Sequence, residues 1–200
     1  MARITVGGEA VHTIGELPKV GSKAPDFLLT KTDLTDISLK DVVGKKVVLN
    51  IFPSVDTSVC SASVSRFNAE ISKFPNAVVL CVSLDLPFAH SRFCEAEGLK
   101  DVVLVSELRN REFGNNYGVR MVEGPLAGLL ARAVVVLDEK GKVIFSKLVS
   151  ELKNEPDYES VLDVLRGDVK LKKDVCTTSS TAEHSRAGNE DGVCDDGRAG

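Results

Sequence analysis

Hydrophobic residues follow three different patterns over the first third of the chain. Alternation over residues 3–6 and 9–14, on either side of a Gly-Gly pair, predicts a β-hairpin, because glycine supplies the positive φ angles of a tight turn. The apolar run 47–52 is typical of a strand buried on both faces. Over residues 58–74 the larger apolar residues recur every three to five positions, which predicts a helix ended by Pro75.

The middle and end of the chain continue as alternating strands and helices. Residues 77–84 and 102–105 are predicted strands, and residues 87–97 between them form a short predicted helix that a glycine stops. This β-α-β order implies a parallel core. Residues 132–137 and 142–149 flank an Asp-Glu-Lys-Gly turn, so we predict a hairpin that makes the sheet mixed at that edge.

A last helix is predicted over residues 158–165, where Pro156 and Asp157 provide a typical helix start. The predicted fold class is therefore α/β, with a central mixed sheet flanked by helices and an N-terminal β-hairpin. After Gly167 the composition turns to small and polar residues, which bury too little apolar surface to offset the entropy of ordering. We predict one domain over residues 1–167 and a disordered tail over residues 168–200.

Charge and hydropathy limit the kinds of partner that the chain is expected to bind. The net charge of −4, with both signs interleaved and few aromatic residues, argues against a nucleic-acid partner. No apolar stretch approaches the roughly 20 residues of a membrane span, and the N-terminus lacks the apolar core of a secretory signal. We therefore expect a soluble cytoplasmic protein that binds neither nucleic acid nor membrane.

The most informative residue is Cys60, in the sequence Thr-Ser-Val-Cys directly after a buried strand and at the start of a predicted helix. The first turn of a helix presents unpaired N–H groups and partial positive charge, which favour the thiolate form of a cysteine placed there. Thr57 lies three residues earlier, so its hydroxyl shares a helix face with the sulfur and can donate a hydrogen bond to it or to the molecule it attacks. A nucleophilic thiol is the expected chemistry.

The other cysteines differ in their surroundings. Five cysteines, an odd number with uneven spacing, do not resemble a secreted disulfide framework. Cys81 lies inside an apolar run and is expected to be an inert buried thiol. Cys94 lies in a mixed polar helix, and two interpretations stay open: a surface thiol, or a partner for Cys60, since helices that follow consecutive parallel strands start at the same sheet edge.

The tail contains Cys176 and Cys194, with His184 between them. Their spacing lacks the paired Cys-x-x-Cys or His-x-x-x-His elements that make a zinc site credible. We therefore expect neither a metal nor another cofactor. A nucleophile elbow, a phosphate-binding loop and a dinucleotide-binding glycine motif are also missing from the sequence.

The motif Pro53-x-x-x-Thr57-x-x-Cys60 matches the signature of the peroxiredoxins, and residues 54–64 resemble the bacterial thiol peroxidase subfamily. Three further segments resemble the same subfamily in the right order: residues 93–99 around Cys94, residues 123–136 with Arg132, and residues 154–158 at the last helix. The resemblance covers residues 1–167.

The resemblance implies a thioredoxin-like fold, a homodimer, and an antioxidant mechanism in which both cysteines belong to one chain. Cys60 would be the peroxidatic and Cys94 the resolving cysteine, while Pro53, Thr57 and Arg132 match the remaining active-site positions. The substrates implied are hydrogen peroxide and alkyl or lipid hydroperoxides. Cys60 would pass through a sulfenic acid to an intramolecular disulfide with Cys94, which thioredoxin would reduce.

Two other functions use the same residues. A thioredoxin-like disulfide reductase is one alternative, weakened because Thr57 occupies the position of the first cysteine of Cys-x-x-Cys. A redox sensor that passes oxidation to a partner protein through a mixed disulfide is the other.

Overall fold

The computed structural model describes residues 1–167. The predicted tail at residues 168–200, together with Cys176, His184 and Cys194, lies outside the described residues.

A mixed sheet forms the centre of the described part of the chain, and a separate hairpin precedes it. The hairpin strands are β1 Arg3–Val6 and β2 Glu9–His12. The sheet strands are β3 Leu28–Lys31, β4 Asp36–Ser38, β5 Lys46–Ile51, β6 Ala77–Ser83, β7 Val102–Ser106, β8 Ala133–Leu137 and β9 Val143–Leu148. The helices are α1 Ser58–Ile71, α2 Pro87–Glu97, α3 Glu112–Asn116 and α4 Tyr158–Arg166, with a 3₁₀ turn at Leu39–Val42. The predicted class, a mixed sheet with flanking helices and an N-terminal hairpin, is confirmed.

The order of strands across the sheet is β4-β3-β7-β6-β5-β8-β9. Strands β5, β6 and β7 are parallel and are joined by α1 and α2, so both helices begin beyond the same sheet edge. Strand β8 lies antiparallel beside β5, with Ala133 paired to Ile51. This register brings the residue just before β8, Arg132, to the edge where β5 ends and the Cys60 loop begins.

The structure differs from the sequence-based prediction at three places. Strand β3 pairs antiparallel with β7, so the sheet is mixed at both edges and not only at the β8–β9 hairpin. The short helix α3 was not predicted, because its five residues carry too little periodicity and it is held by the burial of Phe113. Helix α1 ends at Ile71, and residues 72–74 continue it as a turn.

Two apolar layers enclose the sheet. On one face Phe113 stacks on Tyr117, with ring centroids 4.4 Å apart. On the other face α1, α2 and α4 pack over the sheet, and Phe67 meets Tyr158 edge to face at 5.4 Å. Cys60 lies in this second layer. The thiol is therefore built into the hydrophobic core, which withdraws it from bulk water.

The N-terminal hairpin is attached to the loop before α4 by backbone hydrogen bonds of Thr5 and by the carboxylate of Glu151. Gly7 and Gly8 turn the hairpin with φ angles of +63° and +90°. Their N–H groups each donate to the Glu151 carboxylate at 3.0 Å, and the Thr5 hydroxyl donates to it at 2.7 Å. The hydrogen bond from Thr5, with those from the backbone, lowers the pKa of Glu151 to about 2.

Glu151→Gln is expected to remove a pH-dependent part of the stability. The pKa of Glu151 in the folded chain, about 2, lies below its ordinary value of 4.5, so this carboxylate stabilises the fold above about pH 4.5 and stops doing so as the pH falls towards 2. Urea unfolding followed by circular dichroism should show wild type more stable than Glu151→Gln at pH 6, with the difference shrinking at pH 3. Glu9→Gln, on the same hairpin, is the control. A difference independent of pH would contradict the assignment.

Candidate active site

Cys60 is the third residue of α1 and its side chain is fully buried. The guanidinium of Arg132 donates from Nη2 to the Cys60 sulfur at 3.4 Å. Arg132 is itself only 2% exposed, so this cation acts on the sulfur with little screening by solvent. A permanent positive charge and the start of a helix therefore meet at one sulfur atom.

The other two nitrogens of the Arg132 guanidinium differ in their hydrogen bonding. Nε donates to the Leu152 carbonyl at 3.0 Å, which fixes the plane of the guanidinium. Nη1 is buried and has no hydrogen-bond partner among the described residues. Arg132 also lines the cavity beside Cys60, so these N–H groups can donate to an oxygen atom that enters it.

That cavity has a volume of about 420 Å³ and lies at the start of α1. Its apolar wall comes from the hairpin, from α1 and from the loops around β8 and α4, through Val6, Val59, Leu126, Leu129 and Leu152. Its polar lining includes Thr57 and Arg132. A mainly apolar cavity with a few polar groups at the reactive end suits a small molecule that has an apolar body and a polar head.

Pro53 and Thr57 both line the cavity. Thr57 is the residue before α1, and its hydroxyl donates to the Ser54 carbonyl at 3.2 Å. The expected hydrogen bond from Thr57 to the sulfur is therefore not made in this conformation, because the single hydroxyl proton closes the turn. The hydroxyl oxygen keeps its lone pairs for a donor in the cavity.

Two polar residues in the core support the first turn of α1. Neither was expected from the sequence to belong to the site. The Asn50 amide donates to the Ser63 hydroxyl at 3.3 Å, and that hydroxyl donates to the Cys60 carbonyl at 2.8 Å. Asn50 is a polar residue inside the apolar run 47–52, which was the available signal. The chain of hydrogen bonds ties the position of Cys60 to the central strand β5.

Cys94 is the eighth residue of α2 and is half-buried against the same core layer as Cys60. Neither Cys60 nor Cys94 is among the residues that line the cavity. Both cysteines are free thiols, as is Cys81. Burial raises the pKa of Cys94, and it raises the pKa of the fully buried Cys81 to about 12. Cys81 is thus protonated at neutral pH, in keeping with an inert structural thiol.

Within residues 1–167, no group of three or more His, Cys, Asp or Glu side chains is arranged to hold a metal ion. No helix of this part of the chain is long and apolar enough to cross a membrane.

The sequence and the structure both have known relatives. The Redoxin family pattern matches residues 19–162. A thiol peroxidase of Mycobacterium bovis is 53% identical over 165 residues, which are 82% of this chain and 99% of that protein. A peroxiredoxin-like protein from Aquifex aeolicus superposes with a TM-score of 0.80 at 34% identity, covering 84% of this chain and 98% of that one. A Chromobacterium violaceum thiol peroxidase, at 24% identity and a TM-score of 0.75, shares the fold over 83% of this chain and 96% of its own.

The chain therefore belongs to the Redoxin family. Within it, the relatives are peroxiredoxins and thiol peroxidases, so the resemblance carried by the motif around Cys60 is confirmed.

Arg132→Met is expected to slow alkylation of Cys60 by iodoacetamide at pH 7 by about tenfold or more, since a hydrogen bond to a charged group is removed and only the thiolate reacts. Mass spectrometry of the Cys60 peptide gives the rate without interference from Cys94. Arg66→Met is the matched control, because Arg66 lies on α1 with its side chain 50% exposed and its charge is screened. An equal rate in wild type and Arg132→Met would mean that the arginine does not support the thiolate.

Proposed function

We propose that this chain is a thiol-dependent peroxidase that reduces hydrogen peroxide and organic hydroperoxides. One observation carries the proposal: Arg132 donates to the buried Cys60 sulfur while its Nη1 has no partner among the described residues and the side chain lines the adjacent cavity. Arg132 thus connects the fully buried Cys60 sulfur to the cavity in which a peroxide would sit, because it donates to the sulfur and lines the cavity. Peroxide reduction needs both a nucleophile and an electrophilic donor.

In the first step the Cys60 thiolate attacks one oxygen of the peroxide. The S–O bond forms as the O–O bond breaks, which leaves a sulfenic acid on Cys60 and releases an alkoxide or hydroxide that is protonated to alcohol or water. Arg132 stabilises the negative charge that moves from sulfur to the leaving oxygen. Thr57 is assigned a supporting role through its hydroxyl, and Pro53 limits access to the sulfur, since it has no N–H and a fixed φ.

In the second step the Cys94 thiolate attacks the sulfenic sulfur of Cys60. An intramolecular disulfide forms and hydroxide leaves as water, which stops further oxidation to sulfinic acid. A dithiol protein, thioredoxin, then restores both thiols by disulfide exchange. The half-buried position of Cys94 in the layer that also holds Cys60 supports this pairing.

The wall of the cavity supports organic hydroperoxides as substrates beside hydrogen peroxide. Five of its lining residues are aliphatic, and burial of a substrate alkyl group against them contributes binding free energy of about 25 cal/mol per Å². Hydrogen peroxide would react through the same polar groups without that contribution. Alkyl and lipid hydroperoxides are therefore the preferred class, with antioxidant defence as the role.

We further propose a homodimer in a reducing compartment, the cytoplasm. Leu86, Phe88 and Leu108 are large apolar residues that are 45–66% exposed, and they supply surface for a second copy of the chain. Three free thiols within residues 1–167 suit a compartment that keeps cysteines reduced. Sedimentation equilibrium that returned the mass of one chain would exclude the dimer.

The alternative functions are separable from this one. A disulfide reductase needs a second thiol close in sequence to the nucleophilic one. Cys94, the candidate second thiol among the described residues, lies on another helix. A sensor would transfer oxidation to one partner protein, so fast multiple turnover with peroxide and thioredoxin would speak against it.

Cys60→Ser and Cys94→Ser are expected to separate the two steps. Cys60→Ser loses the nucleophile, so peroxide consumption with thioredoxin should fall to the uncatalysed background. Cys94→Ser should consume one equivalent of peroxide per chain and then stall, because no disulfide forms for thioredoxin to reduce. Cys81→Ser, which changes a buried thiol outside the cavity, is the control and should keep turning over. Substantial turnover by Cys60→Ser would reject the proposed function.

Leu126→Asn is expected to discriminate between substrates. Loss of apolar contact in the cavity should raise KM for cumene hydroperoxide by about tenfold, while kcat/KM for hydrogen peroxide should change less than about twofold. Steady-state assays coupled to thioredoxin measure both. Leu34→Asn changes an exposed leucine outside the cavity and should affect neither substrate. Equal losses with both peroxides would contradict an alkyl-binding wall.

A further inference from the structure

Asp85 lies between β6 and α2, and its carboxylate holds the loop that precedes Cys60. Its side chain is 14% exposed. Oδ1 accepts a hydrogen bond from the Ser54 hydroxyl at 2.7 Å, and Oδ2 accepts one from the Val55 backbone N–H at 2.8 Å. The residues that lead into the Cys60 helix are therefore bound to the segment that leads into the Cys94 helix.

The same carboxylate is connected to α2 itself. The Ser83 hydroxyl donates to Asp85 Oδ2 at 2.7 Å and lies 2.8 Å from His90 Nε2. Because a hydroxyl has one proton, which here is donated to Asp85, the serine oxygen accepts from His90, and the histidine carries a proton on Nε2. We call the five residues Ser54, Val55, Ser83, Asp85 and His90 the Asp85 latch.

His90 links the Asp85 latch to Cys94. The two residues are four apart on α2, so they lie one turn apart on the same side of the helix. His90 is fully buried, and its Nδ1 has no hydrogen-bond partner among the described residues. A motion of α2 that displaces Cys94 therefore also displaces His90 from Ser83.

Both thiols are free, and helix geometry separates them beyond the reach of a disulfide. Cys60 is the third residue of α1 and Cys94 the eighth of α2, so helices that start at one sheet edge offset them by roughly 7 Å along their axes. The two helices also follow different strands, β5 and β6, which adds a sideways separation. A disulfide needs Cα atoms within roughly 7 Å, so we infer that one of the two segments leaves its position before the thiols bond.

We propose that the Asp85 latch gates disulfide formation, with Asp85 as a positioning residue that holds Cys60 and Cys94 apart until the latch opens. The inference rests on the proposed function. Movement of the Cys60 loop breaks the bonds to Ser54 and Val55, and movement of α2 breaks the bond to His90. Either motion lets the Cys94 thiolate attack the Cys60 sulfenic sulfur, with formation of the S–S bond and departure of hydroxide as water.

The energetics of the latch suit a gate that is closed most of the time but opens readily. Burial raises the pKa of the Asp85 carboxyl, but the hydrogen bonds outweigh burial and lower it to about 2, so the acceptor is charged at neutral pH. When the Asp85 latch opens, however, the unpartnered Nδ1 of His90 gains access to water. This offsets part of the free energy lost with the hydrogen bonds of Asp85. The second link between the segments, an Arg92–Asp56 pair at 3.3 Å, is exposed and contributes little.

Asp85→Asn keeps the shape of the latch but removes the charge. Rapid mixing of the reduced full chain with peroxide, acid quenching, alkylation and mass spectrometry give the rates of Cys60 oxidation and of disulfide formation. We expect disulfide formation to be about tenfold faster than in wild type, as for loss of a charged hydrogen bond. The sulfinic acid formed at a fixed excess of peroxide should fall by a similar factor. In a Cys94→Ser background, Cys60 oxidation should change less than about twofold.

Ser83→Ala provides a second variant, which breaks the link to His90 without touching the cavity. Asp138→Asn is the control, since Asp138 is likewise a loop carboxylate that accepts backbone N–H groups, two of them at 2.9 and 2.8 Å, but at the far end of β8. It is expected to lower thermal stability and to leave the ratio of disulfide to sulfinic acid unchanged. Disulfide formation in folded Asp85→Asn and Ser83→Ala that is no faster than in wild type, or an equal gain in Asp138→Asn, would overturn the latch. Wild type that reacts with peroxide without forming a disulfide would overturn the proposed function as well, which separates the two failures.

Discussion

The contact between the buried Cys60 sulfur and the buried Arg132 guanidinium is the constraint around which this structure is arranged. Removing a charge from water costs several kcal/mol unless an opposite charge or hydrogen bonds compensate it. Cys60 is fully buried and Arg132 nearly so. The antiparallel pairing of β8 with β5 is what brings them together, because it ends with Ala133 opposite Ile51.

Burial of the Arg132 guanidinium also constrains the elements around it. A guanidinium has five N–H donors, and a buried one must find acceptors for them. The Leu152 carbonyl takes one, so the loop before α4 has to lie against the active site. Glu151, the neighbouring residue, in turn fixes the N-terminal hairpin to that loop. The outermost element of the fold is thus connected to the reactive centre through two adjacent residues.

The parts of the site that were predictable from residues alone are local in sequence. Residues 47–60 contain the strand, the loop and the helix start, so the environment of Cys60 followed from hydrophobic pattern and helix chemistry. Arg132 was reached only through family resemblance, since its distance from Cys60 depends on the β5–β8 register. The bonds of Asp85 to Ser54 and Val55 likewise join segments some 30 residues apart. The Thr57 hydroxyl donates to the Ser54 carbonyl, a contact within the loop before α1 that residue spacing along a helix does not reveal.

The pairing of β8 with β5 also affects the order in which parts of the structure form during folding. More than 80 residues separate Ile51 from its partner Ala133, and contacts of such long sequence separation close late because the loop entropy is lost before they form. A chain emerging from the ribosome therefore presents Cys60 and its helix well before the strand that carries the arginine is available. Cys60 therefore meets the guanidinium of Arg132 only when the sheet is complete, so the contact between these two side chains belongs to the last stage of folding.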